Sequence, residues 1–406
     1  MISSNLFCNF LMTQELIDRL RANDPTLTRV DLSNAGISDI SFLKGNTHVR
    51  SLVLRNCMYS RTKSFNVITD LSPLSECPNL VQLDISGNLL LGYNLPEGTT
   101  IGPFNFSRTK IRWCEDMRQM CSFTPQTLGK WCPNLRSLYV NNCTSLTLTH
   151  NDTYALEYLL EGCNKLYRLD ALRIATSVCD AFRALRFTPR IRTLYLDENL
   201  ISSIDFLEYV PLIRYLSLFV NFVTSLDILE RFSFTKLVVC RLGRNRIHDI
   251  TPLRNISKRL VFLDISSNPV TNIEVLEYME KLIKVDLHKC NVTDLNSLRL
   301  CNHLRTVMIS DTLVTDLSPL RHVLDKLVIL DCGRTQITLT DEEYVRLSQS
   351  IMILNFNLKR TNVPESQVQT IYSHCQLNKM NFANRRITLF NLISKSIDSE
   401  LFEKVP

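Results

Sequence analysis

The chain has 406 residues, of which 45% are hydrophobic and 21% charged, and it carries a formal net charge of +6. This balance is typical of a folded globular chain, and so mild a charge does not by itself indicate a nucleic-acid-binding protein. Only ten glycines are present, which argues against long flexible linkers. No apolar run reaches the length of a transmembrane helix, so the sequence predicts no membrane span.

The first residues of the chain predict a short amphipathic helix. Thr13 and Glu15 resemble a helix start, and Leu16 and Leu20 lie one helical turn apart on a single apolar stripe. The segment lacks the basic region of a signal peptide. We therefore expect residues 1–26 to form an N-terminal capping helix.

After this helix, the phrase L-x-x-L-x-L-x-x-N-x-I returns about every 22 residues, most cleanly at Ile191–Ile201, Leu237–Ile247 and Leu260–Val270. The alternating apolar residues place one face of a short strand in the core. Prolines in the segments between strands favour short extended or 3-10 turns over long helices. A repeat of this length predicts a solenoid in which successive strands stack as a parallel sheet.

The repeat array is predicted to cover residues 27–388, interrupted by an insertion at residues 91–134, and to end in a capping helix at residues 389–406. One unit is also lengthened at residues 58–70. The units at Leu166, Ile351 and Leu377 are degenerate. The predicted units begin at Leu27, Val49, Leu80, Leu135, Leu166, Ile191, Ile213, Leu237, Leu260, Leu282, Leu304, Leu327, Ile351 and Leu377.

The asparagine of the phrase is predicted to turn inward at the end of each strand. An amide there can satisfy backbone groups of neighbouring turns, which a buried chain requires. Cysteine or threonine replaces it in several units. The predicted occupants of this slot are Asn88, Asn199, Asn221, Asn245, Asn268, Cys57, Cys143, Cys290, Thr312 and Thr335.

The repeat phrase resembles that of intracellular leucine-rich repeat proteins of the 22-residue type, a group that includes the leucine-rich repeat regulatory subunit of protein phosphatase 1. The resemblance implies an α/β solenoid: a horseshoe with a parallel concave sheet, short 3-10 or helical convex segments, and helical caps. It also implies a protein-binding adaptor. It carries over no functional residue, because its motif is structural.

The sequence contains none of the common enzyme motifs, so we expect neither catalysis nor a cofactor. His288, Cys290, Cys301 and His303 have a spacing like that of a zinc site, but their repeat positions face different directions, so no metal is expected. The 14 cysteines are spread along the chain. This distribution predicts a reducing compartment, cytoplasmic or nuclear.

The residues that flank the inward leucines should point out of the concave sheet. Tyr215, Val239 and Phe262 fall in one column and predict an exposed apolar patch of the kind that binds partners. An aspartate column beside it could hold a basic partner or be idle. The predicted partner-binding residues are Tyr195, Tyr215, Phe219, Val239, Arg241, Phe262, Asp264, Asp286, Met308 and Asp331.

The C-terminal part of the array carries a surplus of positive charge that includes Lys379, Arg385 and Arg386. This basic patch is either a solvated end of the array or a docking site for an acidic partner.

The sequence as a whole predicts a non-enzymatic scaffold or adaptor that binds a protein partner on its concave face. Two alternatives remain open. One is a structural subunit of a ribonucleoprotein or cytoskeletal assembly, in which nucleic acid is met only indirectly. The other is a regulatory or substrate-recognition subunit of an enzyme such as a phosphatase or a ubiquitin ligase.

Overall fold

A computed structural model gives the fold, and the chain divides into two compact units, Met1–Ile201 and Ser202–Pro406. Each unit repeats a three-residue strand followed by a return segment. The structure describes residues 13–56, 66–88, 127–143, 149–150, 153–174, 179–232, 234 and 236–384.

In the first unit, residues 13–21 are helical, and Leu20 is buried. Six parallel strands follow, and each pairs in register with the next one in the sheet. They are β1 (Arg29–Asp31), β2 (Ser51–Val53), β3 (Gln82–Asp84), β4 (Ser137–Tyr139), β7 (Arg168–Asp170) and β8 (Thr193–Tyr195).

The rest of the first unit consists of short segments between these strands. An antiparallel pair is formed by β5 (Thr149–His150) and β6 (Thr153–Tyr154). The return segments contain helices α1 (Leu128–Trp131) and α2 (Ala155–Leu160) and 3-10 turns at Ser41–Leu43, Ser72–Glu76 and Cys179–Phe187.

The second unit has seven parallel strands in register. They are β9 (Tyr215–Ser217), β10 (Val239–Arg241), β11 (Phe262–Asp264), β12 (Lys284–Asp286), β13 (Thr306–Met308), β14 (Ile329–Asp331) and β15 (Asn355–Asn357). The helices are α3 (Ile228–Arg231), α4 (Asp341–Gln349) and α5 (Glu365–Asn384). The 3-10 turns are Asp205–Tyr209, Thr251–Arg259, Glu274–Tyr278, Asn296–Leu298, Ser318–Leu320 and Leu324–Lys326.

The core lies between the sheet and the return segments of each unit. The middle residue of every strand from β9 to β14 is at most 1% exposed: Leu216, Cys240, Leu263, Val285, Val307 and Leu330. Parallel strands, inward apolar residues and short 3-10 returns confirm the predicted leucine-rich repeat solenoid. We call the side of the sheet away from the return segments its open face.

The inward asparagines join neighbouring repeats. The Nδ2 of Asn245 donates to the carbonyl oxygens of Leu218 at 2.8 Å and Leu242 at 2.9 Å, and its Oδ1 accepts from the backbone N–H of Val223 at 3.0 Å. Asn268 repeats these contacts one turn later. Each amide therefore satisfies buried backbone groups of two successive turns.

In the second repeat, this slot is filled by a residue that the sequence analysis missed. The Nδ2 of Asn66 donates to the carbonyl oxygens of Leu32 at 2.8 Å and Leu54 at 3.0 Å, and its Oδ1 accepts from the backbone N–H of Ile37 at 2.9 Å. The assignment of Cys57 to the slot was wrong, because the lengthened unit inserts its extra residues between the strand and the asparagine. Cys57 itself lies outside the described residues.

Thirteen of the fourteen predicted units form strands, and the unit at Leu377 does not. Residues around Leu377 belong to helix α5, so the prediction of a repeat there was wrong. Most of the insertion predicted at residues 91–134 and all of the predicted capping helix at 389–406 lie outside the described residues.

We expect Leu263→Ala to lower the free energy of unfolding by about 2–5 kcal/mol, because it leaves a cavity among fully buried side chains. The control is Leu313→Ala, since Leu313 is 60% exposed and its loss should change stability by less than about 0.5 kcal/mol. Urea unfolding followed by circular dichroism measures both. Equal stability of the two variants would show that the strand register is wrong.

Candidate functional site

The predicted outward column exists on the open face of the second unit. Backbone pairing places Tyr215 beside Val239, Val239 beside Phe262, and Phe262 beside Lys284. Four consecutive strands, β9 to β12, thus bring these side chains into one row. The sequence predicted the first three as neighbours, and the register confirms it.

The side chains of this row are more deeply buried than the sequence predicted. Val239 is only 3% exposed and forms a buried cluster with Val238 and Val261, against which Tyr215 and Phe262 pack half-buried. The expectation that Val239 is exposed was wrong, because the aromatic rings on the neighbouring strands cover this short side chain. Only the outer parts of the two rings remain available to a partner.

A cleft of about 430 Å³ opens on this face, beside the packed row. It collects seven of the predicted site residues of the second unit and adds Arg244, Lys284 and three polar side chains. Asp331 does not line it. The cleft is lined by Tyr215, Phe219, Arg241, Arg244, Phe262, Asp264, Ser266, Ser267, Lys284, Asp286, His288 and Met308.

Cationic side chains lie over the two phenylalanine rings of the cleft. The Nζ of Lys284 is 4.5 Å from the centre of the Phe262 ring, and the guanidinium carbons of Arg241 and Arg244 are 5.5 and 5.7 Å from the centre of the Phe219 ring. Each is within the range of a cation–π contact. The cleft therefore presents rings and positive groups together.

Gly243 is required at the base of the cleft. A Cβ at this position would lie 2.6 Å from Ser266 Oγ, 2.7 Å from Asp264 Oδ1 and 2.9 Å from Cδ2 of Phe219. Any side chain would push these groups apart. The glycine in the phrase L-G-R-N, at Leu242–Asn245, was the sequence signal for this close approach.

The aspartate column has a structural role that the sequence analysis did not assign. Asp264 accepts hydrogen bonds from the backbone N–H of Ser266 at 3.0 Å and from its Oγ at 2.6 Å. Asp286 accepts from the backbone N–H of His288 at 3.1 Å. Both residues are less than 10% exposed, and their carboxylates close the turn after their own strand, which leaves little of them open to a basic partner.

Burial raises the pKa of Asp286 to about 6, and the neighbouring carboxylate of Asp264 adds to the effect. The backbone N–H of His288 and the charges of Lys284 and His288 act in the opposite direction. Burial lowers the pKa of Lys284, whereas the negative charges of Asp286 and Asp264 act to raise it. The net charge of the side chains at the base of the cleft therefore changes over a weakly acidic pH range.

We expect Asp286→Asn to stabilise the protein at pH 7.5. Because the folded-state pKa lies above the unfolded value of 3.8, ionisation of the carboxylate opposes folding increasingly from about pH 4 to pH 6, and by about 3 kcal/mol above that range. The cost disappears as the pH falls towards 4, and asparagine keeps an acceptor for the N–H of His288. Urea unfolding at pH 4.5 and 7.5 should show a clearly larger gain for the variant at the higher pH. An equal gain at both pH values would contradict the assigned cause.

Two other predicted residues of the second unit lie near this cleft. Met308 lines it and is half-buried. The Oδ1 of Asp331 accepts hydrogen bonds from the backbone N–H of Gly333 at 3.1 Å and from Nδ2 of Asn357 at 2.7 Å.

In the basic patch, Lys379 is exposed on α5. Arg385 and Arg386 lie outside the described residues.

Tyr195 belongs to the first unit and forms a separate group there. The guanidinium carbon of Arg168 lies 5.0 Å from the centre of the Tyr195 ring and 5.1 Å from that of Tyr139. Its Nε and one terminal nitrogen donate to the two oxygens of Asp170, both at 3.0 Å. The sequence analysis did not connect Tyr139 and Arg168, although both occupy outward strand positions.

The two cysteines of the zinc-like spacing lie against different backbone groups. Cys290 Sγ contacts the carbonyl oxygen of Ile265 at 3.2 Å, and Cys301 Sγ contacts that of Leu276 at 3.5 Å. Burial raises the pKa of both thiols to about 12, so they remain protonated. Across the described ranges, no cluster of three or more histidine, cysteine or acidic residues could bind a metal.

The described residues contain no helix long and apolar enough to span a bilayer.

Comparison with solved structures supports the fold. Internalin InlF from Listeria monocytogenes aligns at 20% identity over 87% of this chain and 86% of its own, with a TM-score of 0.61. A leucine-rich repeat protein of Leptospira interrogans aligns at 15% identity over 88% and 90%, with a TM-score of 0.60. The plant peptide hormone receptor RGFR1, in complex with RGF2, aligns at 14% identity over 83% of this chain and 51% of its own, with a TM-score of 0.51.

No protein-family profile and no curated protein matches the sequence. At these identities, the structural likeness shows a shared leucine-rich repeat fold.

Proposed function

We propose that this protein is a non-enzymatic interaction scaffold whose second unit binds a protein partner in the cleft around Phe219 and Phe262. The observation that carries the proposal is the pairing of half-buried aromatic rings with cationic side chains on an open sheet face. Aromatic residues and arginine dominate the energetics of protein interfaces.

The partner segment should be acidic. Arg241, Arg244 and Lys284 lie over the rings, while the carboxylates of Asp264 and Asp286 are buried and accept hydrogen bonds from their own turns. Oδ2 of Asp264 also lies 3.9 Å from Nε of Arg241, so the exposed Arg244 contributes most to the positive charge on the outer side of the cleft. A segment that approaches from solvent therefore meets positive charge first. Carboxylates of the partner would form charge-assisted hydrogen bonds with the guanidinium groups.

The size of the cleft fits a short segment of polypeptide. About 430 Å³ is at the lower end of the range of ligand pockets, which runs from roughly 300 to 1,000 Å³. Two or three side chains of a linear segment would occupy it. The structural neighbour RGFR1 is itself in complex with RGF2, which supports this use of the fold.

The cysteines favour a reducing intracellular compartment for this scaffold, as in the intracellular leucine-rich repeat proteins that the sequence resembles. Nine cysteines in the described part of the chain are free and buried: Cys77, Cys132, Cys143, Cys163, Cys240, Cys290, Cys301, Cys332 and Cys375. These nine thiols therefore take no part in disulfides, as is usual in a reducing compartment.

The proposal is tested by panning the purified protein against a library of random linear peptides. We expect peptides rich in Asp, Glu and aromatic residues to be enriched. Arg244→Glu should weaken their binding about tenfold or more, because it replaces an attractive charge contact with a repulsive one. Isothermal titration calorimetry with one enriched peptide measures the effect.

Lys289→Glu is the matched control. Lys289 holds the same repeat position as Arg244, is also exposed, and has a similar backbone φ of 57° against 55°, but it does not line the cleft. Its reversal should leave the affinity nearly unchanged. Equal losses in both variants, or enrichment of basic peptides, would contradict the proposed site.

A further inference from the structure

Two aspartates lie side by side at the base of the cleft in the second unit. Backbone pairing places Asp264 of β11 directly beside Asp286 of β12, and both line the cleft. They are 6% and 9% exposed. Adjacent strands are about 4.8 Å apart, so two negative charges meet where little water can weaken their repulsion. Neither carboxylate has a part in the proposed binding of an acidic segment.

The surroundings stabilise these two charges unequally. Asp264 accepts hydrogen bonds from the turn that follows its strand, and its Oδ2 lies 3.9 Å from Nε of Arg241 on β10. Asp286 accepts a hydrogen bond from the backbone N–H of His288 at 3.1 Å. On its other flank, β13 places the uncharged Met308 beside Asp286. The negative charge of Asp286 is therefore the less well compensated of the two.

Other charged and titratable side chains face Asp286 from its own strand and from the neighbouring turns. Lys284 precedes it by two residues on β12, and its ammonium group is shared between the two aspartates. Nδ1 of His288 lies 3.6 Å from Oδ2 of Asp311, and Asp311 also forms an ion pair with Arg334. Asp311 thus has a cationic partner of its own, which Asp286 does not share.

An acidic segment in the cleft strengthens both causes of the raised pKa of Asp286. Burial, followed by the neighbouring charge of Asp264, holds this pKa at about 6. A bound segment excludes water from the base of the cleft, which disfavours the ionised carboxylate further. The carboxylates of the segment also add negative charge nearby. Each effect favours the protonated form of Asp286 in the complex.

We propose that Asp286 takes up a proton when an acidic segment binds in the cleft, so that mild acidification strengthens the interaction. This coupling rests on the proposed function, since it requires an acidic segment in the cleft. A ligand that favours protonation is itself bound more tightly by the protonated protein. The affinity is therefore highest below the pKa of Asp286 in the free protein, and it falls until the pH exceeds the pKa in the complex.

Isothermal titration calorimetry of the full chain at pH 5.5 and 8.0 tests the coupling. The probe is an acidic peptide from the panning experiment, with blocked termini and aspartate as its only titratable side chain, so that its charge is nearly constant over this range. A coupling of about tenfold between proton and peptide, which is ordinary for linked sites, predicts an affinity roughly five- to tenfold higher at pH 5.5.

Repeating the titration near pH 6.5, in buffers of different ionisation enthalpy, counts the protons exchanged on binding. We expect uptake of about half a proton for each peptide bound. Equal affinity at both pH values, or no proton uptake, would overturn the coupling and leave the proposed binding site intact. Failure to obtain any acidic peptide that binds in the cleft would overturn the proposed function and the coupling together.

Asp286→Asn should bind the peptide at pH 8.0 about as tightly as the unmodified protein does at pH 5.5, and it should lose both the pH dependence and the proton uptake. Asp331→Asn is the matched control, because Asp331 holds the same third position of its strand, β14, and does not line the cleft. The control should keep both properties. A pH dependence that survives Asp286→Asn, or that is lost in the control, would overturn the proposal.

His288→Gln distinguishes the aspartate from the histidine beside it. A protonated imidazole in the cleft would also attract an acidic peptide. We expect His288→Gln to keep the greater part of the pH dependence and of the proton uptake. If His288→Gln loses both while Asp286→Asn keeps them, the proton belongs to the histidine and the proposal is overturned.

Discussion

The turns that carry an inward asparagine depend on a buried amide that completes the hydrogen bonds of their neighbours, and a cysteine or threonine takes this place in other turns, as at Cys290 and Thr312. Asn199 shows the pattern in the first unit: its Nδ2 donates to the carbonyl oxygens of Ala171 and Leu196, and its Oδ1 accepts from the backbone N–H of Ile174. The strands are only three residues long, so their hydrogen bonds to neighbouring strands do not reach all the backbone groups of the turn that follows. The amide does so, and buried backbone groups left unpaired would cost about 1–3 kcal/mol each.

This constraint also determines which positions of the repeat can change their side chain without loss of the fold. Once the leucines and the amide slot point inward, the outward positions on each short strand are free to differ from repeat to repeat. In the second unit these positions hold rings beneath cations, as in Phe262 and Lys284. In the first unit, the residues just before the strands hold Arg50 and Arg136.

The repeat period was sufficient to predict thirteen strands, and the register of β9 to β11, because each three-residue strand lies inside an unbroken phrase. It misplaced the second amide, since the phrase does not show that Asn66 returns to the slot after an insertion. It overestimated the exposure of Val239, which depends on rings from adjacent strands. The spacing Asp-x-Ser at Asp264 and Ser266 is typical of a turn closed by the aspartate. The sequence analysis instead assigned Asp264 only to the outward face of the strand. Arg244 was missed because it follows the strand.

The central claim is that a partner segment lies in the cleft of the second unit, and site-specific photo-crosslinking tests it most directly. A benzophenone side chain is placed at Met308, which lines the cleft, and in a second protein at Leu300, which is 58% exposed just after the 3-10 turn of the preceding return segment. With an acidic peptide bound, the account predicts a covalent adduct at Met308 and none at Leu300. An adduct at Leu300 alone would contradict it.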